Sequence, residues 1–270
     1  MMKCYPVILT GLFWVLLESC STTYSFYGSP VFGKTASYTT KPLLSDSVHS
    51  ATYSSLVFSD GFSNFFSQDP IYAGQLRLYQ VRQFSLFHFF YGTDLMLGNY
   101  GIANYQDTGV TTIVGNHFFG NLGISGGGDF SLPIGKSEWR MIGVDLSLNQ
   151  EFGSYLGFRM KQPVTIDTGV FKHSFLGTLA LSSEWAFHTR HGEFGFKYEF
   201  GTYLGNQGFL ANNFIFPPSG LFHSSYRFYQ FSFHVTFKQW TGYILEQGGT
   251  WEGDSRLGVI YRFQPRYKNK

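Results

Sequence analysis

Large apolar residues recur at every second position through much of the chain beyond residue 48. In Ile142-Gly143-Val144-Asp145-Leu146-Ser147-Leu148-Asn149 the even positions are apolar and the odd ones small or polar. Tyr229-Gln230-Phe231-Ser232-Phe233-His234-Val235-Thr236-Phe237 repeats the pattern with aromatics. Phe194, Phe196, Tyr198 and Phe200 alternate with Gly195, Lys197 and Glu199. Phe87, Phe89, Tyr91, Leu95 and Leu97 oppose His88, Gly92 and Asp94, and Phe175, Leu179, Leu181 and Phe187 oppose Thr178, Ser182 and Glu184. Successive side chains of a strand point to opposite faces, so each segment predicts a strand with one apolar face.

The pattern predicts about ten strands (range 8–12), near 48–58, 71–79, 84–98, 119–131, 138–151, 175–187, 192–203, 224–237, 240–248 and 255–263. The links alternate in length: 59–70 is long, 80–83 tight, 99–117 long, 132–137 short, 152–174 long, 188–191 short, 204–223 long and 238–239 tight. An all-β, antiparallel up-and-down transmembrane barrel has this rhythm, with short periplasmic turns and long outer loops. Because the first link is long, both chain ends are expected in the periplasm. A soluble β-sandwich also alternates. Its two sheets must interdigitate, whereas lipid accepts the bulky aromatics that dominate these faces.

Composition sharpens the choice. Aromatic residues make up 20% of the chain and charged residues 13%, about half the usual charged share of roughly 25%. A soluble surface normally carries more charge, and a disordered chain fewer aromatics. Beyond the N-terminus there is no apolar run of the roughly 20 residues that a membrane helix needs. The net charge of +2 comes with no basic stripe, so nucleic acid is not an expected partner.

The N-terminus reads as an export signal. Lys3 precedes an apolar stretch from Tyr5 to Leu17, too short for a comfortable membrane span. Leu17-Glu18-Ser19-Cys20 follows and resembles the lipobox of bacterial lipoproteins, with Glu18 standing where a small or apolar residue is usual. The resemblance implies a signal peptide over 1–19 and lipidation of Cys20. An ordinary secretory signal, with Cys20 left as a thiol, is the alternative. Cys4 lies in the removed segment, so no internal disulfide and no cysteine-built zinc site are expected. Residues 20–47, rich in Ser, Thr, Tyr, Gly and Pro, read as a lipidated tether to a barrel over 48–264, with a tail over 265–270. Tyr38 to Leu44 is similar to the segment before the first strand in some lipid-anchored outer-membrane barrel families. Leu257 to Phe263 resembles the C-terminal assembly signal of such barrels, although Gln264 to Lys270 follow it. These resemblances imply an outer-membrane β-barrel lipoprotein of the small-barrel kind. Its partners would be outer-membrane lipids and the barrel assembly and lipoprotein export machinery.

The inward faces carry Arg77, Asp94, Asp129, Asp145, Glu151, Glu184, Lys197, Glu199, Arg256 and Arg262. Mixed signs suggest pairing across the lumen, with Arg77, Arg256 and Arg262 reaching Asp94, Asp145, Glu184 or Glu199. The set suits either a selective passage or a filled, cross-braced interior. About ten strands favour the filled interior, because open pores appear near sixteen. Gly123 to Gly128 lacks the lysine and helix of a phosphate loop and reads as a place for curvature or close approach. Trp185, Trp240, Tyr72 and Tyr261 are expected in interfacial girdles. Phe222-His223-Ser224-Ser225-Tyr226 resembles the His and Ser of outer-membrane lipid A deacylases, which implies His223 activating Ser225, with Glu246 or Glu252 as loosely placed acids. The expected function is non-enzymatic: a scaffold, a surface-interaction protein or a narrow solute passage. A lipid-modifying enzyme is the alternative. No cofactor or metal is implied.

Overall fold

The computed structural model describes residues 25–32, 34, 37–43, 49–63, 69–105, 111–162, 168–190, 192–204, 227–249 and 252–263. The signal segment, Cys20, His223 and Ser225 lie outside the described residues.

Ten strands close into one barrel. They are β2 (Ser50–Ser63), β3 (Asp69–Phe84), β4 (Phe87–Tyr105), β5 (Thr111–Ile134), β6 (Ser137–Phe152), β8 (Phe175–His188), β9 (Glu193–Leu204), β10 (Arg227–Phe237), β11 (Trp240–Gly249) and β12 (Glu252–Phe263). Each pairs antiparallel with its neighbours in sequence, and β12 closes on β2 over Glu252↔Ser63 to Phe263↔Thr52. Between β6 and β8 lie a helix, α1 (Ser154–Lys161), and a short strand, β7 (Thr168–Val170). A further short strand, β1 (Ser25–Tyr27), pairs in parallel with β7 outside the barrel sheet. The expected up-and-down barrel is therefore the observed fold. Closure matters physically, because it leaves no unpaired sheet edge inside a membrane.

The alternation decides which face each side chain takes. Leu146 and Phe233 are 43% and 46% exposed on the outside, whereas His234 is fully buried and the Asp145 side chain turns inward to Lys197. Leu56, Phe58, Leu76, Leu78, Phe196 and Phe231 extend the same exposed apolar surface around the barrel. An apolar exterior with a polar interior inverts a soluble fold and matches a barrel solvated by lipid. At one rim Trp139 stacks on Trp185 with centroids 5.3 Å apart, and Trp240 packs on Tyr261 at 4.7 Å. This is where interfacial aromatics are expected.

Most strands run further than expected. The first tight turn is Ser85-Leu86 rather than 80–83, and β4 and β5 continue to Tyr105 and Thr111 where a long loop from 99 to 117 was expected. Apolar alternation marks only the part of a strand that meets lipid, while backbone pairing continues past it. Ser85, Gly135 and Lys238 open the tight turns with positive φ of 54°, 62° and 56°, which suits the twist of two-residue hairpins.

The segment read as a tether, 20–47, behaves differently over its described part. Val31, Phe32, Lys34, Ser37, Tyr38, Thr39, Thr40 and Lys41 are all buried. They are inside the barrel. Ser25 stands at the end carrying the 153–174 link, and Phe263 at the end carrying the tight turns. Ser25 and Phe263 thus stand at opposite ends of the barrel, while the chain ends that were expected to share one side lie outside the described residues. Link-length alternation counts strand crossings alone, and the crossing of the described segment through the lumen adds one that it does not count.

Candidate functional site

The lumen holds the densest polar chemistry among the described residues, and the N-terminal segment runs through it from end to end. At the long-loop end the helix α1 aims Tyr155 and Arg159 inward, both fully buried. Four residues apart, they share one helix face. Arg159 Nη1 donates to the Gly28 carbonyl at 2.9 Å, while its Nη2 donates to Glu151 Oε2 at 2.9 Å. Ser29 Oγ donates to the same Glu151 oxygen at 2.7 Å. Phe32 stacks on Tyr203 at 4.5 Å, and Tyr155 on Tyr100 at 3.9 Å.

In the middle of the lumen, Arg77 grips the segment. Its Nη1 donates to Ser37 Oγ at 3.0 Å and to Thr39 Oγ1 at 2.8 Å, and its Nη2 reaches Ser125 Oγ on β5 at 2.9 Å. The Tyr38 hydroxyl donates to Glu184 Oε1 at 2.9 Å while its ring stacks on His234 at 4.6 Å. On β12, Arg256 Nη1 donates to the Lys34 carbonyl at 3.3 Å, and Lys34 Nζ lies 3.9 Å from Asp254. A gap beside Ser37 and Arg77 measures about 20 Å³, about the space one water needs.

Towards the tight-turn end, the Thr40 amide donates to the Tyr79 hydroxyl at 3.1 Å. Lys41 Nζ lies 2.5 Å from Asp129 Oδ2, and Asp129 Oδ1 accepts from Ser131 at 2.9 Å and faces His88 at 3.1 Å. Beyond Lys41 the lumen widens into a cavity of about 220 Å³ lined by Leu43, Tyr53, Glu193, Lys238 and Arg262.

All ten of the charges expected to face inward do so, but their pairing differs from the expectation. Glu184 is taken by Arg140 at 2.7 Å, and Arg140 also donates to Glu138 at 2.9 Å. Lys197 holds Asp145 at 2.8 Å and Glu199 at 2.5 Å. Arg256 pairs with Asp254 on its own strand. Arg77 stands opposite Asp94 in the register but directs its hydrogen bonds to Ser37 and Thr39 of the segment and to Ser125 of β5.

Glu138 and Arg140 were missed for a definite reason. Alternation on β6 puts odd residues inside from Gly143 onward, so 138 and 140 extrapolate to the outside. The register slips between Arg140 and Gly143, with Phe130 facing Ile142 and Ser131 facing Arg140, which leaves Met141 as an extra residue. One inserted residue flips every side chain beyond it. Arg140 is therefore buried and Trp139 meets Trp185 outside. Lys34, Lys41 and Arg159 were missed because their stretches carry no alternation. The available signal was charge: the described part of 25–43 holds Lys34 and Lys41 and no carboxylate, while the buried carboxylates of the strands outnumber their cations.

The glycines of β5 act as clearance. A Cβ on Gly127 would lie 2.3 Å from the Val144 carbonyl and 2.6 Å from Asp145 Oδ1, and one on Gly123 would lie 2.0 Å from Asn149 Oδ1. Both face the lumen, where Asn149 donates to Ser147 and accepts from Asn121. Glu246, one of the acids considered beside His223 and Ser225, is on the outer face and accepts from Ser255 Oγ at 2.7 Å. The geometry around His223 and Ser225 falls outside the described residues.

No family model matches the chain, and no curated relative matches it. Several solved barrels are similar at low identity. The β-domain of the Bordetella autotransporter BrkA aligns with a TM-score of 0.43 and 9% identity, covering 80% of this chain and 100% of that one. The translocator domain of the autotransporter NalP from Neisseria meningitidis aligns at 0.40 and 8%, covering 81% and 90%. An outer membrane channel from Pseudomonas putida F1 aligns at 0.37 and 10%, covering 84% and 100%. These are likenesses of barrel fold alone.

Proposed function

We propose that this protein is a self-plugged outer-membrane β-barrel, lipid-anchored at Cys20, that serves as a scaffold presenting its long-loop face rather than as a solute passage or an enzyme. One observation carries the reading: a segment of the chain's own N-terminal region occupies the lumen and is fastened at every level. Arg159 and Glu151 hold it at one end, Arg77 and Glu184 in the middle, and Asp129 near the other. A transient occupant would not need buried ion pairs, since their desolvation is offset only by good geometry and further hydrogen bonds. Asp129 combines the Lys41 ion pair with further contacts to Ser131 and His88.

Single-channel recording of the purified protein in planar bilayers tests this. The wild type is expected to be silent. A steady conductance of general-porin size would refute the plug and make transport the function. Silence in the wild type with openings in variants that loosen the segment would support it.

A further inference from the structure

The lumen segment has a direction, and the direction has a consequence for the anchor. β1 pairs with β7 at the long-loop end, through Ser25↔Thr168 to Tyr27↔Val170. The Phe171 amide donates to the Tyr27 carbonyl at 3.0 Å, and Tyr27 meets Phe158 of α1 edge-on at 5.5 Å. Leu43 lies at the other end, in the cavity it shares with His188, Gln239 and Arg262. β2 then starts at that same end, where Ser50 pairs with Arg82 beside the Ser85-Leu86 turn. The chain thus enters the barrel from the long-loop end and crosses the whole lumen before its first barrel strand.

We infer that Ser25, where the described lumen segment begins, is presented on the long-loop face of the membrane, so that a lipid on Cys20 would be seated in the outer leaflet, on the side opposite Phe263. The position of the lipid rests on the lipid-anchored reading above; the position of the segment does not. Long loops mark the outer face of such barrels and tight turns the periplasmic face. Only five residue steps separate Cys20 from Ser25, a reach of about 17 Å when fully extended. The apolar belt of an outer-membrane barrel is about 25 Å tall, so Cys20 cannot return to the periplasmic leaflet from Ser25. The lumen offers no route back, because residues 28–32 and 37–41 already fill it. The barrel is closed, so the wall offers none either. From the mouth of the barrel, the same reach brings acyl chains down to the nearer leaflet.

The test uses the full-length protein in the outer membrane of intact cells. One variant carries an epitope with a protease site inserted after Thr23; a second carries the same insert after Arg266. Folded barrel is verified for both by its heat-modifiable migration. The insert after Thr23 is expected to bind antibody and be cut on intact cells, with less than a twofold gain after permeabilisation. The insert after Arg266 is expected to gain at least tenfold on permeabilisation. If the Thr23 insert becomes accessible only in permeabilised cells, or stays protected in both, the inference is wrong, since a displayed segment is open to protein-sized reagents. Labelled fatty acid separates the two readings. Label on the small fragment released from the barrel by external protease supports an anchor in the outer leaflet. External cleavage without label in the wild type would sink lipidation while leaving the display of the segment intact.

Discussion

Lys41 offers the sharpest test of the plug, because it is the segment's shortest ionic contact with the wall. Its Nζ sits 2.5 Å from Asp129 Oδ2 with both side chains almost fully buried. Lys41→Met keeps the length and apolar stem of the side chain and removes the charge, together with the ammonium that sits 5.9 Å from the centre of the Phe90 ring. Asp129 would retain Ser131 and His88 but lose its full positive partner. Breaking a buried pair from one side costs about 3–5 kcal/mol; the contacts Asp129 keeps with Ser131 and His88 offset part of that, so about 2–4 kcal/mol remains against the seated segment. At about 1.4 kcal/mol per factor of ten, the ratio of seated to unseated states should fall by roughly 30- to 700-fold. Bilayer recordings should show brief openings absent from the wild type. The double variant Lys41→Met/Asp129→Asn removes both charges and should return close to silence, because replacing a whole buried pair is often near neutral. If the single variant folds and stays silent, or if the double variant opens more than the single one, Lys41–Asp129 does not hold the segment and the reasoning fails.

Three further outcomes are expected. Leu146→Arg should destabilise the folded barrel by about 2–4 kcal/mol at mid-membrane, while Asp145→Asn should cost much less because Lys197 keeps Glu199; lipid-refolding titrations compare them, and equal costs would contradict the assigned faces. Gly127→Val should impair assembly, by about 1–3 kcal/mol for overpacking, since its Cβ meets the Val144 carbonyl and Asp145; an unchanged unfolding midpoint would show that the lumen wall can yield there. Cys20→Ala should abolish incorporation of labelled fatty acid yet leave the heat-modifiable barrel, and persistent labelling would place the lipid elsewhere.

The barrel was legible because lipid imposes a strict rule on one face. Phe194, Phe196, Tyr198 and Phe200 can point only outward, so period-two aromatics report the strand, its face and its register together. Inward residues obey a weaker rule. Asp145 and Glu184 are placed correctly by parity alone, but parity names a side and not a partner, and Glu184 went to Arg140 across a bulge that alternation does not announce. The lumen segment was least legible. Its conformation follows neither period two nor period 3.6, and its partners come from distant sequence: Tyr38 from Glu184, Lys34 from Arg256. A stretch whose every contact is supplied by someone else's fold carries no local signature, so its serines, threonines and tyrosines resemble those of a flexible tether.

The need for such a segment can be argued from the wall itself. Eight strands enclose a space that side chains just fill, and adding strands widens it roughly in proportion. A ten-stranded wall could close the surplus with long inward residues. Instead β5 and its neighbours present Gly123, Ser125, Gly127, Ser147, Thr178 and Ala180 towards the middle, beside Ser37, Thr39 and Arg77. Small inward residues on adjacent strands leave a trough, and the buried carboxylates elsewhere on the lumen wall, Asp129 and Asp254 among them, favour a cationic occupant. The segment supplies Lys34 and Lys41 for the charge and Tyr38 for the volume, with one hydroxyl to satisfy Glu184. Were the wall built only to brace itself, Arg77 would turn wholly to wall groups such as Ser125 and Asp94, its neighbour in the register, rather than also to Ser37 and Thr39. The wall is shaped around an occupant, and the occupant is the stretch of chain that precedes β2.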